Sequence, residues 1–347
     1  MDRVLRVGVR CDVGVRRGVG HVMRSLAFAE ELRRRGVEVV FVCDSPTVPW
    51  ADAQIRGRGI AVEAAVWTPD EHVRLVERLG LDAVVFDSYD LPGEVFGAVR
   101  RSGVPTLAIV DGDLRGADAD LLVDQNLGAE FDQPVLPAGA VRLAGLDYVL
   151  LRDDVLALRP SDPPVLRQSG VPKVFAFFGG TDAYGAGPYV VRALAATGVP
   201  FEATVVAPGE QLVEAISAVP LEAEQRVQVI GPTSQLAQAV VESDLVVSAS
   251  GTSTWELLCL GATAGLVCVV DNQEMGYERA VATGAAAGVG TLAALKADPT
   301  EAAAVLRSLL TDAPRRTQLA QAGWKLVDGQ GRVRVADALL QLIDAAT

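Results

Sequence analysis

Two spacings of apolar residues alternate along the chain. Runs such as "VLRVGV", "VEVVFVCD", "LDAVVFDSY", "VPTLAIVD" and "DADLLVDQNLGA" are short, rich in Val, Ile and Leu, and end in polar turn residues. They read as buried strands. After the first of them, Leu26, Ala29 and Leu32 recur near helical spacing with charge on the opposite face, which predicts a helix running to Arg35. A short helix through Arg101 follows the third strand. Strand and helix in alternation predict a mainly parallel sheet covered on both faces.

The rhythm breaks at residues 158–172, "LRPSDPPVLRQSGVP", where four prolines and little periodicity predict a linker. It then restarts. "KVFAFFGGTDAYG", "FEATVVA", "RVQVIG", "DLVVSASG" and "ATAGLVCVVD" read as strands, and helices are expected near Tyr189–Ala196, from Ser234, through "TSTWELLCLG" and from about Gln273 to Thr283. Three more helical stretches follow, at about 300–311, 314–325 and 331–345. The fold expected is α/β, with two Rossmann-like domains facing each other across a cleft. The first spans 1–157 and the second 173–330, with a last helical segment, 331–347, free to pack back on the first. A length of 347 residues agrees with two domains of roughly 100–200 residues each.

Composition narrows the function classes. Apolar residues make up 50% of the chain, yet no run reaches the roughly 18 uninterrupted apolar residues of a membrane helix. Charge continues through Arg6 and Arg10, so the start of the chain lacks a signal-peptide pattern, and a cytoplasmic protein without membrane insertion is expected. Cys11, Cys43, Cys259 and Cys268 lie in apolar surroundings with no CxxC pair and no histidine nearby; they read as buried free thiols, and no metal site is expected. A formal charge of −13 argues against nucleic acid and anionic membranes as partners. Residues 1–36 nevertheless hold nine arginines against Asp2, Asp12, Glu30 and Glu31. A solvated helix face accounts for Arg33 to Arg35 but less well for Arg24, which leaves an anionic small molecule as a candidate ligand there. Monomer and dimer are both compatible with these features.

The candidate chemistry gathers where strands turn into helices. One of the two histidines, His21, stands at such a junction, directly after Gly18 and Gly20, whose turn permits close backbone approach at a helix N-terminus. His72, in "PDEHVRLVERL", sits among charges and reads as a surface residue. Gly179 and Gly180 form a second glycine turn. In "SASGTSTWE", Ser250, Gly251, Thr252 and Ser253 supply hydroxyls and N–H groups for a diphosphate, or else simply cap the helix that follows. Glu256 in that helix either gains from the helix dipole or accepts hydrogen bonds from a ribose. Asp87, Ser88 and Tyr89, then Asp111, then Asp271, Asn272 and Gln273 close other strands, whereas Asp12 either contacts ligand or orients a backbone turn.

Taken together, "GVGHVMRSLAFAEEL", "FDSYDL", "DADLLVDQNLGA", "YVLLRDD", "FFGGTDAYG", "SGTSTWELLCLG" and "VVDNQ" resemble the UDP-sugar hydrolases of pseudaminic acid biosynthesis and their spore-coat polysaccharide relatives. The resemblance covers most of the chain and implies the GT-B fold, with UDP held mainly by the C-terminal domain. It also implies cleavage of a UDP-linked amino or acetamido deoxy sugar at its anomeric C–O bond, releasing UDP and the free sugar. By motif, His21 resembles the catalytic histidine of that family, Tyr89 and Asn272 its active-site tyrosine and asparagine, and Glu256 the glutamate of its nucleotide motif. Beyond the nucleotide-sugar substrate it implies neither cofactor nor metal. The chain departs from the pattern in "GDLRGAD", which is shortened, in "GGTDAYG", and in Arg16 and Arg17 of "RCDVGVRRGVGH". Two alternatives stand beside hydrolysis. One is a GT-B glycosyltransferase passing the sugar to a hydroxyl or amine acceptor, and the other is a non-catalytic nucleotide-sugar binder, which would not need His21.

Overall fold

The structure, a computed structural model, describes residues 3–14, 20–166 and 169–346. The chain forms two compact units, Met1–Asp153 together with Gly329–Thr347, and Asp154–Asp328.

Among the described residues the first unit carries a seven-stranded sheet of β1 (Arg6–Cys11), β2 (Glu38–Val42), β3 (Ala61–Glu63), β4 (Ala83–Asp87), β5 (Thr106–Ile109), β6 (Leu121–Asp124) and β7 (Val141–Ala144). Every pairing is parallel and the order is β3-β2-β1-β4-β5-β6-β7. Side chains alternate across a strand, so one strand feeds two cores. Val85 and Leu107 face the helices Gly20–Arg34 and Gly331–Ala346, while Val84, Phe86 and Ala108 face Pro69–Leu79 and Gly93–Arg101. This double burial explains why the strands read as near-continuous apolar runs.

The second unit has six strands, β8 (Lys173–Phe177), β9 (Phe201–Val206), β10 (Gln225–Ile230), β11 (Leu245–Ala249), β12 (Ala264–Cys268) and β13 (Ala287–Thr291), in the order β10-β9-β8-β11-β12-β13. These too are all parallel. Val174, Val205 and Val247 build its core with Val190 and Leu194 of the helix Gly187–Ala195 and Leu306 of Thr300–Thr311. In both units the strand order reverses direction beside the first strand, which makes β1/β4 and β8/β11 the switch points where α/β sheets place their ligands.

Strands β3, β7 and β13 were not expected from the pattern. The first has three residues and the second is half-exposed, while β13 places Gly288 and Gly290 where β-formers usually stand. The proline-rich segment after residue 157 is irregular, and Arg159 ties it to the second unit by stacking over Trp324, 4.6 Å from its ring centre, and bonding the carbonyl of Asp328. His72 corrects the surface reading. It is 2% exposed, on the face of Pro69–Leu79 that also carries Leu75 and Val76, with Nδ1 2.9 Å from the Thr68 carbonyl and its ring 5.9 Å from Phe86. Burial lowers its pKa. All four cysteines are free and buried.

The final helix, Gly331–Ala346, buries Val335, Ala336, Leu339 and Ile343 in the core of the first unit. Arg332 in its first turn binds Asp153 at 2.5 Å and Glu30 at 3.4 Å. Its entry is tight: a Cβ on Gly331 would lie 2.3 Å from the Val149 carbonyl oxygen. Backbone cannot yield as a side-chain tip can. Gly331→Ala is therefore expected to cost about 1–3 kcal/mol, as overpacking does, whereas Gly231→Ala, with nothing within 4 Å of the new methyl, stays near neutral. Thermal melts of the two variants check this.

Candidate active site

In the first unit the polar residues at the ends of β1, β4 and β5 converge. The Asp12 amide continues the β1–β4 ladder by donating to the Asp87 carbonyl at 3.0 Å. The Asp12 carboxylate accepts from Ser88 Oγ at 2.8 Å, from the Tyr89 amide at 2.7 Å and from Arg10 at 3.3 Å. It shapes the turn that presents Tyr89. These bonds give Asp12 the turn-building role, one of the two expected of it.

Asp87 is the centre of the cluster. It is 0% exposed, and three residues one helical turn apart on Gly20–Arg34 reach it. His21 Nδ1 lies 2.5 Å from Oδ1, Arg24 donates through Nε at 2.7 Å and through a terminal nitrogen at 2.6 Å, and Ser25 Oγ donates at 3.2 Å. Spacing of i, i+3 and i+4 places all three on one face. The Arg24 guanidinium continues to Asp111 with bonds of 2.9 and 3.0 Å. Asp111 also accepts from Asn126 at 3.2 Å and from the Tyr89 hydroxyl. The Tyr89 and His21 rings meet edge to face, with centroids 4.4 Å apart.

These contacts set the charges. Burial pushes the Asp87 carboxyl up, but Arg24 and His21 outweigh it and hold the pKa below the ordinary range. Asp111 follows the same logic, with burial opposed by Arg24, Tyr89 and Asn126, and it also ends low. Both carboxylates therefore stay ionised around one guanidinium, which leaves an excess negative charge beside the imidazole. Burial and then the charge of Asp111 drive Tyr89 upward, so its phenol keeps its proton and cannot serve as a base. Arg24, expected to hold an anionic ligand, is corrected: it is 5% exposed and its charge is already shared by two carboxylates. Gly20 opens the helix that carries His21, and Gly18 lies outside the described residues.

In the second unit, three turns follow the adjacent strands β8, β11 and β12. After β8, Gly179 has φ +73° with open space around a would-be Cβ, and Gly180 beside it is exposed. Asp182, at φ 39°, receives the Ala186 and Gly187 amides at 2.8 and 3.0 Å and so starts the helix Gly187–Ala195. After β11, Ser250, Gly251 and Thr252 lead into the helix Ser253–Cys259. Thr252 stands at its N-cap without a side-chain capping bond, so ordinary capping does not explain the run of hydroxyls. After β12, Gln273 braces this turn: its carbonyl accepts from Ser250 Oγ at 3.4 Å, its side chain accepts the Val269 amide at 3.2 Å, and its Nε2 lies 3.5 Å from a would-be Cβ on Gly251. Asn272 is exposed on the turn Asp271–Gln273, and Glu256 is half-buried one turn into its helix.

Sequence reasoning named Asp87 and Asp111 as strand-end groups but did not pair them with His21 and Arg24. The i, i+3 spacing of a histidine and an arginine opposite a strand-end aspartate was the signal available. Nothing in the sequence marked Asn126, Asp182 or Arg115.

No family model matches the chain. It is 23% identical to the spore coat polysaccharide biosynthesis protein SpsG of Bacillus subtilis (strain 168), over 98% of this chain and 99% of that one. It is 28% identical to the UDP-N-acetylglucosamine--N-acetylmuramyl-(pentapeptide) pyrophosphoryl-undecaprenol N-acetylglucosamine transferase of Xanthomonas campestris pv. campestris (strain B100), over 93% of this chain and 79% of the relative. MurG of Acinetobacter baumannii superposes with a TM-score of 0.72 at 17% identity, over 97% and 99% of the two chains. The spinosyn rhamnosyltransferase SpnG, complexed with thymidine diphosphate, gives 0.65 at 16% identity, over 98% and 100%. The fold is GT-B.

These likenesses correct the hydrolase reading. The activities named among them are sugar transfers, and none is a hydrolysis, so cleavage by water in a pseudaminic acid setting gives way to the transferase alternative. The GT-B sheets carry the two clusters, His21 with Asp87 in one and the Ser250–Ser253 turn in the other. No helix among the described residues is long and apolar enough to cross a membrane.

Because Asp87 and Asp111 have lowered pKa values when folded, their stabilisation is complete above the ordinary carboxylate value of 3.8 and is lost as pH falls through the depressed values. Stability should be flat through this term from pH 7 to about 4 and drop below it. Asp111→Asn should show a shallower acid drop than the parent in urea titrations at pH 7, 4 and 3.

Proposed function

We propose that the protein is a nucleotide-sugar-dependent glycosyltransferase of polysaccharide biosynthesis, taking a sugar from a UDP-linked donor to a hydroxyl or amine of an acceptor. One observation carries this reading: a histidine at the β1/β4 switch point, fixed by a buried ionised aspartate through Nδ1. Such a partner selects the tautomer with Nε2 unprotonated, and that nitrogen then acts as the base. Nε2 takes the acceptor proton as the acceptor atom bonds to the anomeric carbon, and the bond from that carbon to the diphosphate oxygen breaks with its electron pair leaving on UDP.

The imidazolium formed is stabilised by the excess negative charge of Asp87 and Asp111 around Arg24. Tyr89 limits the ring's rotation by its edge-to-face contact. In this reading the departing diphosphate lies over the Ser250, Gly251, Thr252 and Ser253 turn, with Gly179 and Gly180 leaving room for it, and its charge is met by backbone N–H groups. Glu256 accepts from the ribose, and Asn272 and Gln273 line the sugar side. The names of the relatives support UDP as the nucleotide, since a UDP-sugar stands in the name of the Xanthomonas transferase.

The test is to incubate the protein with UDP-sugars, with and without hydroxyl and amine acceptors, and to follow UDP and the sugar product by mass spectrometry. UDP release that needs an acceptor is expected. His21→Ala should lower kcat by about 10²–10⁴, the usual worth of general base catalysis. Full turnover by that variant would remove His21 from the chemistry.

A further inference from the structure

The loop Asp111–Ala117, after β5, carries a cation that the proposed chemistry does not use. The loop is firmly seated. Asp113 Oδ1 accepts the Arg115 amide at 2.9 Å, the Ala117 amide bonds the Leu114 carbonyl at 2.8 Å, and a Cβ on Gly93 would come within 2.5 Å of the Gly116 carbonyl oxygen. Arg115 itself has φ 49°, a conformation that side-chain-bearing residues rarely hold. Its guanidinium carbon lies 3.8 Å from the centre of the Tyr89 ring, which in turn touches His21.

Among the described residues, the other arginines of the cluster are neutralised. Arg24 binds Asp87 and Asp111, and Arg10 binds Asp12. Arg115 is exposed, and among the described residues its guanidinium has no ion-pair partner, in a chain with 44 acidic side chains. Stacking on an aromatic face fixes the plane of a guanidinium and leaves its edge N–H groups free for a bidentate oxyanion.

We propose that Arg115 is an acceptor-binding residue that takes an oxyanion, a carboxylate or a phosphate, on the acceptor and so brings the acceptor nucleophile to His21. This inference rests on the transferase reading. In a protein of net charge −13, a cation stacked on Tyr89 and unpaired among the described residues admits an anionic acceptor where the surface as a whole repels it.

The test begins with binding alone, so it stands or fails whether or not sugar transfer is found. In the intact ¹⁵N-labelled protein, the Arg115 side-chain Nε–H resonance, assigned by its loss in Arg115→Gln, is followed during titration with inorganic phosphate and with acetate. A saturable shift with either, larger than that with chloride at equal ionic strength, is expected. A shift no larger than that with chloride overturns the proposal. In the transfer assay Arg115→Gln should raise the acceptor KM about tenfold with the donor KM unchanged, as loss of a charged hydrogen bond does, and Arg115→Lys should recover part of it. A rise in the donor KM with the acceptor KM unchanged would assign the cation to the donor diphosphate and overturn the proposal.

Discussion

A single carboxylate with no access to water organises the first unit's functional face. Asp87 ends a central strand, and in that position it would be intolerable without partners, because an unpaired buried charge costs several kcal/mol. One helix face supplies them all: a guanidinium, an imidazole and a hydroxyl. The arrangement fixes the distance and rotation of that helix against the sheet. It also fixes the ring of His21, since the bond that satisfies the aspartate is the same bond that selects the imidazole tautomer. In the proposed transfer, stability and reactivity would share that one contact.

The six strands of the second sheet repeat the order of the first six strands of the first, and that order explains why polar residues gather where they do. On each side of the switch point the connections leave in opposite directions and open a gap at the carboxyl ends. Strand-end residues facing such a gap cannot be covered by helices. They must either be satisfied within the unit, as Asp12, Asp87 and Asp111 are by Ser88 and Arg24, or stay exposed, as Thr252, Asn272 and Gly180 do. The first unit spends its strand ends on an internal network, and the second keeps its own open.

The apolar alternation was strong enough to reveal ten of the strands and the two-unit organisation, because parallel strands covered on both faces leave unmistakable apolar runs. What it missed was weakly hydrophobic for a physical reason: β13 has glycines at alternate positions, β3 is a three-residue edge, and β7 lies half in solvent. The positions of His21 at a strand–helix junction and of Tyr89 just past a strand end were legible. The pairing of His21 with Asp87 was not, since it joins residues 66 apart in sequence through tertiary packing alone. His72 misled for a related reason: the charges around it in sequence lie on the other faces of the helix, and only the packing against Phe86 shows which face is inside. Water as the acceptor was an inference from family resemblance, and the relatives with named activities point elsewhere.

The last helix of the first unit is made after the whole of the second. Val335, Ala336, Leu339 and Ile343 join a core whose other members all precede residue 154. During synthesis the amino-terminal sheet must therefore wait, with an apolar stripe along Gly20–Arg34 uncovered, until the ribosome has released some 175 intervening residues. The second unit can finish first. The polypeptide is thus a nested insertion in its order of assembly, and of the two units the one started first matures last.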